Sequence, residues 1–380
     1  MAGPNRTPAL SVVIAGGGTG GHLYPGIAVA REVQRRVPGA QVSFAGTARG
    51  LEARVVPREG FPLDLLRSTG LKGKSRASRL RGLALVPLSL LDSWRIVSRR
   101  RPAVVIGVGG YSSGPVVLAA ALRGVPTLVL EQNAVPGLTN RLLARWVRAA
   151  AVAYPDTLRF FSGRGFVAGN PVRPEFFAGE SGANRQSPDA FRVLVLGGSQ
   201  GAHAINLAVV AAAPDLARTI SGFTLVHQTG ERDVAFAREA YARAEVGAQA
   251  EAFLDPVVPE VMAADLVIGR AGATTLAELA AAGRPAVLVP FPAATDDHQR
   301  RNAEVLERAG AAVVLDQASL SGAALADTVR ALAADRPRLA RMGEAMRGFA
   351  RPDAAAAIVD RVLTLAGLGA APAAGTDARR

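Results

Sequence analysis

The chain contains no cysteine among its 380 residues, which excludes disulfide bonds and thiolate metal sites. Aromatic residues make up only 5% of the sequence, and histidine occurs four times. Hydrophobic residues nevertheless account for 49%, which predicts large cores of aliphatic side chains and alanine. No apolar run approaches the roughly 18 residues of a membrane span, and the N-terminus lacks the apolar segment of a signal peptide. These absences favour a cytosolic protein. The length of 380 residues is typical of two domains of ordinary size.

Positive charge is concentrated early in the chain. Residues 1–150 contain 21 Lys and Arg against 6 Asp and Glu, whereas the remainder is close to neutral. The densest stretch, Arg67–Arg101, holds ten basic residues and a single acid, Asp92. Nucleic acid or an anionic membrane surface would each attract such a stretch. Because the chain has 42 Arg and only 2 Lys, a general bias toward solvated arginine is the alternative explanation.

Short β-branched runs alternate with helical stretches, which predicts parallel sheets covered by helices on both faces. The pattern occurs twice, separated by a break rich in Pro and Gly at residues 168–188. We therefore predict an α/β protein of two Rossmann-like domains whose parallel sheets face each other across a cleft. The predicted strands are Leu10–Ala15, Gln41–Ala45, Ala103–Gly107, Thr127–Glu131, Ala149–Ala153, Arg192–Leu196, Thr224–Gln228, Glu251–Leu254, Leu266–Gly269, Ala286–Val289 and Ala311–Leu315.

Helices are predicted between these strands, and one follows them. They include Ile27–Val37, Thr139–Arg148, Thr274–Ala282 and Gln299–Ala309. A last helix, at about residues 352–367, is a candidate to pack back on the first domain. The Ala/Gly/Pro-rich tail at 368–380 is expected to be disordered.

The first predicted strand runs into a glycine loop that ends in a histidine. Gly16–Gly21 reads GGGTGG, so five of six positions lack a side chain, and His22 follows directly. Backbone N–H groups and a helix N-terminus can then approach an anion closely. With His22 beside it, the loop predicts a phosphate cradle that carries a titratable base. The alternative is that the glycines only permit close packing of strand and helix.

Two further loops follow strands of the first half. IGVGGYSSGP at Ile106–Pro115 is rich in glycine, and EQNAVPG spans Glu131–Gly137. Since the carboxyl ends of parallel strands share one edge of a sheet, we expect both loops to lie near His22. Glu131 and Asn133 could orient hydroxyl or amide groups there, although asparagine is also a common turn former.

The second half carries two glycine turns of its own. VLVLGGSQGAH at Val193–His203 echoes the first loop, and GRAGATTLAEL at Gly269–Leu279 reads as strand, turn and helix. Thr274 and Thr275 are predicted to cap that helix, which would aim N–H groups at a phosphate. Glu278 lies one turn further along and could accept both hydroxyls of a ribose. It could also be simply a favourable charge near a helix N-terminus.

A polar cluster completes the series of motifs. VPFPAATDDHQRRNA, at residues 289–303, places five polar residues at a junction of loop and helix: Asp296, Asp297, His298, Gln299 and Asn302. Such side chains suit recognition of sugar hydroxyls. Ordinary N-capping by Asp296 is the alternative.

The motifs and their order resemble one family. Seven of them follow one another from Gly16 to Ala303: GGGTGGHLYPGIAVA, GGYSSGP, EQNAVPGLTN, GNPVR, GGSQGAHAIN, RAGATTLAELAAAGRPAVLVP and DDHQRRNA. Together they resemble the bacterial N-acetylglucosaminyltransferases that convert undecaprenyl-linked muramyl-pentapeptide (lipid I) into lipid II for peptidoglycan.

The resemblance implies a GT-B fold, with the lipid acceptor on residues 1–170 and the donor, UDP-N-acetylglucosamine, on residues 171–351. It implies a peripheral protein on the cytoplasmic face of the cell membrane that touches the anionic inner leaflet. Other proteins of cell-wall synthesis and division are further candidate partners, and no cofactor and no nucleic acid are expected.

Matching positions carry over the family's site residues. His22 corresponds to the proposed catalytic base. Leu254 matches a backbone contact to uracil and Gln299 a contact to N-acetylglucosamine hydroxyls, whereas His298 stands where other members have glutamine. The full set of donor-contacting positions is Thr19, Gly20, Gly21, Asn133, Arg173, Ser199, Leu254, Ala273, Thr274, Thr275, Leu276, Ala277, Glu278, His298 and Gln299. The acceptor-contacting positions are Gly18, Gly109, Gly110, Tyr111, Ser112 and Glu131.

The implied reaction is an inverting transfer. The C4 hydroxyl of N-acetylmuramic acid attacks the anomeric carbon while UDP leaves. An attacking hydroxyl needs a base, and a histidine with an ordinary pKa of about 6.5 serves at neutral pH. Helix N-termini and Arg173 would supply positive potential to the leaving diphosphate. The sequence has no Asp-x-Asp pair of the kind that holds a metal–nucleotide complex, so we expect a metal-independent site.

The apolar stretch Leu80–Trp94 lies within the basic region. We predict that it forms a helix at an anionic membrane surface. A buried helix of the first domain is the alternative, and Pro87 leaves the shape of the helix open. The flanking arginines are Arg76, Arg79, Arg81, Arg95, Arg99, Arg100 and Arg101.

Other functions fit parts of the sequence. A different GT-B glycosyltransferase or a UDP-sugar epimerase would share the nucleotide motifs, but GGYSSGP and EQNAVPG favour the lipid II enzymes. A nucleic-acid-binding protein would use the basic stretch, in which Trp94 is the only aromatic residue that could stack on bases. An NAD-dependent oxidoreductase would need an acid for the ribose about 20 residues after the first glycine loop, and none is suitably placed.

Overall fold

A computed structural model describes residues 10–68, 85–177, 190–198 and 201–369. The chain divides into two units, the first comprising residues 1–171 and 353–380 and the second residues 172–352. No helix in the described ranges is both long and apolar enough to cross a membrane.

The first unit is built on a parallel sheet of seven strands. These are β1 (Ser11–Gly16), β2 (Gln41–Gly46), β3 (Leu63–Leu65), β4 (Val104–Gly109), β5 (Thr127–Glu131), β6 (Ala149–Val152) and β7 (Gly165–Val167). Their order across the sheet is β3-β2-β1-β4-β5-β6-β7. The helices between them are α1 (Gly20–Arg36), α2 (Glu52–Arg58), α3 (Val86–Arg100), α4 (Ser113–Leu122) and α5 (Leu138–Leu143).

The second unit repeats this plan with six parallel strands. These are β8 (Phe191–Leu196), β9 (Phe223–Gln228), β10 (Ala248–Glu251), β11 (Leu266–Gly269), β12 (Ala286–Leu288) and β13 (Ala312–Val314). Their order is β10-β9-β8-β11-β12-β13. The helices are α6 (His203–Thr219), α7 (Val234–Arg243), α8 (Val258–Ala263), α9 (Ala273–Ala282), α10 (His298–Arg308), α11 (Gly322–Ala334) and α12 (Arg336–Arg347).

Each sheet is buried on both faces because its central strands carry apolar side chains on both sides. In β1, Val12 and Ile14 enter one hydrophobic cluster, while Val13 and Ala15 enter the cluster on the opposite face. Side chains alternate along a strand, so such a strand requires helices on both sides of the sheet. The two clusters of the second unit flank its sheet in the same way.

The last helix of the chain returns to the first unit. This helix, α13 (Ala354–Leu365), packs against α1. Arg36 of α1 forms an ion pair with Asp360 of α13. The apolar face of α13 lies in the core of the first unit and consists of Ile358, Val359, Val362 and Leu363.

Some element boundaries differ from those predicted. The helix α1 begins at Gly20 rather than Ile27, inside the glycine loop, and Thr19 is its N-cap residue without a capping bond from its side chain. The strand predicted at Glu251–Leu254 lies earlier, at β10, and α5 ends at Leu143. The pattern also misses β3 and β7, which have three residues each and are too short to show a period. Part of the predicted break, residues 178–189, and the tail from 370 lie outside the described residues.

Candidate active site

The glycine turns of both units lie where the strand order of a sheet reverses. This point falls between β1 and β4 in the first unit and between β8 and β11 in the second. In parallel α/β sheets the loops that leave the strands at such a point diverge and open a crevice at the carboxyl ends. The candidate sites are therefore the loops after these four strands.

Two loops of the first unit interlock through their backbones. We call residues 16–19 loop 1 and residues 109–112 loop 2. A methyl group on Gly16 would lie 2.5 Å from the carbonyl oxygen of Gly109, and one on Gly110 would lie 2.6 Å from that of Gly17. Gly109 and Gly110 also have φ angles of 96° and 79°, which glycine adopts without strain. Each loop therefore requires glycine in order to approach the other.

His22 lies in the first turn of α1 and packs on loop 2. Its ring is so close to Gly109 that a methyl group there would lie 2.7 Å from Cδ2. The ring Nδ1 is 3.2 Å from the Oγ1 atom of Thr19, the N-cap residue of α1. The predicted base thus sits where the two loops meet, held on one side by Thr19 and on the other by backbone.

The predicted acceptor residues of these loops are brought together, but they differ in exposure. A methyl group on Gly18 would lie 3.5 Å from the ring of Tyr111, which is 37% exposed. Ser112 is buried, so Tyr111 is the residue of loop 2 with a large side chain at the surface. Gln132, after β5, donates a hydrogen bond to the carbonyl oxygen of Val108 at 3.1 Å and fastens the next loop to loop 2.

Glu131 organises the loop after β5. This buried side chain accepts four hydrogen bonds of 2.9 to 3.1 Å, from the N–H groups of Asn133 and Gly137 and from the side-chain amides of Asn133 and Asn140. Burial raises the pKa of Glu131, although these hydrogen bonds act in the opposite direction. Both of its oxygens therefore shape the loop that presents Asn133, and contact with an acceptor stays a prediction.

The second unit places its first glycine turn between β8 and α6. Ser199 lies outside the described residues. Gly198 and Gly201 adopt φ angles of 74° and 75°, and a methyl group on Gly201 would lie 2.5 Å from the carbonyl oxygen of Thr229. Gln228 donates to the carbonyl oxygen of Gly198 at 3.0 Å. The loop after β9 thus holds the turn after β8.

A chain of hydrogen bonds lies beneath the N-terminus of α6. Asp233 Oδ2 is 2.9 Å from His203 Nδ1 and accepts from Asn206 Nδ2 at 2.8 Å. His227 continues the chain, with Nε2 3.0 Å from Asn206 Oδ1 and Nδ1 2.7 Å from the hydroxyl of Tyr241. Burial lowers the pKa of His227 to about 4, so this histidine is neutral at pH 7. The sequence motif does not reveal the chain because Asp233 lies thirty residues beyond His203.

The turn before α9 is open to an anion. Its N-cap residue is Gly272, and Thr274 and Thr275 lie inside the first turn, so the prediction that these threonines cap the helix is wrong. Because glycine occupies the N-cap, that residue places no side chain over the N–H groups of Ala273 and its neighbours. These groups and the helix dipole favour a phosphate at this position.

Arg173 lies close to Glu278 of α9. Arg173 Nη2 is 3.6 Å from Glu278 Oε1, and its guanidinium stacks over Phe176 at 5.0 Å from the ring centroid. Burial raises the pKa of Glu278 to about 7, although Arg173 lowers it in part. Leu254 is buried in the same hydrophobic cluster as Leu276 of α9. The structure therefore gathers these predicted donor residues around one helix, on which Ala277 is partly exposed.

At the junction before α10 the structure contradicts the alternative explanation and leaves the prediction of sugar recognition as it was. Asp296 and Asp297 have φ angles of 56° and 55°, and Asp297 is the N-cap residue without a capping bond from its side chain. N-capping by Asp296 is therefore wrong. Gln299 accepts a hydrogen bond from the N–H of Phe291 at 2.9 Å, which ties the loop to α10. His298 begins α10 and is partly buried.

Asn302 and Arg270 join this junction to the turn before α9. Asn302 Nδ2 donates to the carbonyl oxygen of Ala271 at 3.2 Å. Arg270 donates to the carbonyl oxygen of Val289 at 3.0 Å and to Gln317 Oε1 at 2.7 Å. Hydrogen bonds thus connect the turn before α9 to α10 and to the loop after β12. Over the described ranges, no three His, Asp or Glu side chains are grouped so as to hold a metal ion.

The sequence matches the two domains of one enzyme family. Residues 12–152 match the N-terminal domain of glycosyltransferase family 28, and residues 192–358 match its C-terminal domain. The chain belongs to glycosyltransferase family 28. In this family 28 protein, loops 1 and 2 fall in the first match and the loops around α6, α9 and α10 fall in the second.

Individual relatives agree with this assignment. A protein of Anaeromyxobacter sp. (strain K) named UDP-N-acetylglucosamine--N-acetylmuramyl-(pentapeptide) pyrophosphoryl-undecaprenol N-acetylglucosamine transferase is 47% identical over 361 residues, 94% of this chain and 93% of its own. The crystal structure of Acinetobacter baumannii MurG is similar with a TM-score of 0.78 at 31% identity, covering 93% of this chain and 99% of that one.

A more distant solved structure shares the fold alone. A putative UDP-N-acetylglucosamine 2-epimerase from Listeria monocytogenes has a TM-score of 0.68 at 13% identity, covering 94% of this chain and 96% of that one. The predictions of a GT-B fold and of a glycosyltransferase are confirmed.

Proposed function

We propose that this family 28 protein transfers N-acetylglucosamine from UDP-N-acetylglucosamine to the C4 hydroxyl of the muramyl sugar of lipid I, with inversion, to form lipid II. The proposal is carried by the histidine at the meeting of loops 1 and 2. It is supported by the name of the relative that is 47% identical over 94% of the chain.

In this proposal, the donor occupies the second unit. The N–H groups at the start of α9 and the guanidinium of Arg173 face the diphosphate, while Glu278 accepts the ribose hydroxyls. Leu254 contacts uracil through its backbone, and Gln299 contacts the sugar. The closeness of Arg173 to Glu278 on α9 supports these assignments.

The acceptor is proposed to approach His22. His22, whose Nδ1 lies beside Thr19, is assigned as the base that takes the proton from the C4 hydroxyl. Removal of this proton strengthens the nucleophile as it attacks the anomeric carbon from the face opposite UDP. Negative charge then develops on the leaving diphosphate, where N–H groups at helix N-termini and Arg173 stabilise it.

A membrane-facing surface is proposed on α3. The helix buries Ile96 and Val97 in the core, but it also buries Ser89 and Ser93 while leaving large apolar side chains exposed, which an ordinary surface helix does not do. This finding disfavours the alternative of a fully buried helix, although residues 69–84 lie outside the described ranges. The exposed apolar residues, each 38% to 44% exposed, are Val86, Leu88, Leu91 and Trp94.

Cations border this surface. Arg123 stacks on Trp94 at 4.7 Å from the ring centroid and donates to Ser98 at 2.7 Å, and Arg95 is exposed. An apolar strip with adjacent arginines suits the interface of an anionic leaflet. We propose that the protein docks here as a peripheral protein on the cytoplasmic face of the membrane, where its lipid substrate is held.

The function is tested with labelled UDP-N-acetylglucosamine and a lipid I analogue. The wild-type protein should transfer the label, and His22→Ala should lower turnover roughly 100-fold or more because the base is removed. The donor affinity, measured by calorimetry, should be largely kept, since the proposed donor residues around α9 are in the second unit.

Two outcomes would contradict these assignments. Label that stays on the nucleotide as an epimerised sugar, with none on the lipid analogue, would point to an epimerase. Near-normal turnover by His22→Ala would remove this histidine as the base while leaving the transferase function standing.

Donor affinity should depend on pH through Glu278. Its pKa is raised to about 7, so the carboxyl is protonated below that pH and no longer accepts from both ribose hydroxyls. Calorimetry should therefore show the dissociation constant of UDP-N-acetylglucosamine rising roughly tenfold from pH 8 to pH 6. Glu278→Gln should bind the donor more weakly and flatten this pH dependence.

As the matched control, Glu260→Gln removes a carboxyl that also pairs with an arginine, and the wild-type slope should remain. An unchanged slope in Glu278→Gln would refute the assignment.

Membrane docking is tested by replacing the apolar residues of α3. The double variant Leu91→Ser/Trp94→Ser should bind vesicles of equal parts phosphatidylglycerol and phosphatidylcholine about tenfold or more weakly, because less apolar surface is buried. The control Leu207→Ser/Phe236→Ser changes residues of similar exposure, 45% and 44%, in the second unit. Co-sedimentation measures both. Equal binding of the folded α3 variant and the wild type would count against this surface.

A further inference from the structure

Glu52, the first residue of α2, is fully buried beneath loop 1. One carboxyl oxygen, Oε2, accepts the N–H of Gly18 at 2.7 Å. The other, Oε1, accepts both the N–H and the hydroxyl of Thr47, each at 2.9 Å. All three donors are uncharged. A side chain of α2 therefore forms part of the structure of loop 1.

The buried carboxyl group of Glu52 leaves no room for a side chain at three neighbouring glycines. A methyl group on Gly17, Gly46 or Gly50 would lie 2.4, 2.6 or 2.1 Å from an atom of the Glu52 side chain. Real carbon atoms do not approach so closely. Part of the glycine content of loop 1 thus makes room for an internal carboxyl group rather than for a bound phosphate.

The contact also changes what loop 1 can offer to a ligand. The N–H of Gly18 is already used by Glu52, so it is not one of the donors of an anion cradle. Gly18 directly precedes Thr19, whose hydroxyl oxygen lies 3.2 Å from Nδ1 of His22. One hydrogen bond and one peptide bond therefore link the carboxyl group of Glu52 to Thr19.

We propose that Glu52 is a positioning residue for His22, holding loop 1 so that Thr19 and the first turn of α1 set the direction of the imidazole. The proposal rests on the function proposed above, because it assigns His22 a part in the transfer. Glu52 itself touches no substrate. Its effect reaches the reaction only through the backbone of loop 1.

Glu52→Gln is the informative substitution because it keeps the shape of the side chain. The amide has one accepting oxygen and one donating NH₂ group, whereas Glu52 faces backbone N–H groups on both sides. Whichever way the amide turns, NH₂ meets the N–H of Gly18 or of Thr47. In either orientation the side chain at position 52 must move, and loop 1, which packs directly on it at Gly17, shifts with it. The matched control is Glu59→Gln, just after α2, where Glu59 pairs with Arg31 at the surface.

In the transfer assay, Glu52→Gln should lower kcat roughly 10- to 100-fold, because a small displacement of a catalytic group has effects of this size. The KM for UDP-N-acetylglucosamine should change less than kcat, because most of the donor-contacting positions, including Arg173 and Glu278, are in the second unit. Glu59→Gln should match the wild type in both constants. A kcat for Glu52→Gln equal to that of Glu59→Gln would overturn the proposal.

A second arm needs no substrate and uses the four histidines of the chain as probes. His22 lies in the first unit, whereas His203, His227 and His298 lie in the second and serve as internal references. In NMR spectra of protein labelled at histidine, Glu52→Gln should shift the ring signal of His22 and leave the other three in place. A His22 signal at its wild-type position would refute the positioning role even if the transferase function holds.

Thr47 supplies a milder variant if Glu52→Gln fails to fold. Thr47→Val removes the hydroxyl donor to Oε1 and should give a smaller shift of the His22 signal and a smaller loss of kcat. Thr47→Ser keeps the hydroxyl and should restore both. A Thr47→Ser variant as impaired as Thr47→Val would mean that packing, rather than the hydrogen bond to Glu52, controls loop 1. If the wild-type protein transfers no sugar, the proposed function fails, but the NMR comparison still tests the contact.

Discussion

The candidate site of the first unit depends on the direct approach of two backbones. Loops 1 and 2 leave β1 and β4 at the point where the strand order reverses, and there Gly16 meets Gly109 and Gly17 meets Gly110. No side chain fits between them. The imidazole of His22 then packs on peptide groups, which are more rigid than side chains. The position of the predicted base is in this way a consequence of sheet topology and glycine rather than of its own rotamer preference.

Buried carboxyl groups have two different roles in this protein. Glu52 and Glu131 accept hydrogen bonds from their own surroundings and so build loops, each around a strand end of the first unit. Glu278 is also largely buried, but its one described partner is Arg173, at 3.6 Å. Burial raises its pKa to about 7, which marks a carboxyl group that lacks enough donors in the protein itself. Ribose hydroxyls would supply those donors, which is why this glutamate is proposed to bind the nucleotide.

The sequence predicted the elements whose signals are local. Continuous apolar strands such as β5 and β11 were placed at their observed bounds, and the glycine turns were found because glycine itself is the signal. The sequence does not predict hydrogen bonds that only the fold creates. Glu131 reads as a ligand from its place at the end of a strand, and the fold adds that it accepts from the N–H groups of Asn133 and Gly137, while its contact with an acceptor stays a prediction. Glu52 lies 34 residues from Gly18 and follows no motif, so only the fold reveals their contact.

The most direct test of this account adds a single methyl group to loop 2. In Gly109→Ala the new carbon would lie 2.7 Å from the ring of His22, so the imidazole must move. Gly124→Ala is the matched control, because Gly124 has a similar positive φ of 73° in the same unit but no atom within 4 Å of the added carbon. Single-turnover rates of sugar transfer should fall about 100-fold for Gly109→Ala and stay near the wild type for Gly124→Ala. Equal rates for the two variants would contradict the claim that the contact of loop 2 with His22 sets the geometry of the reaction.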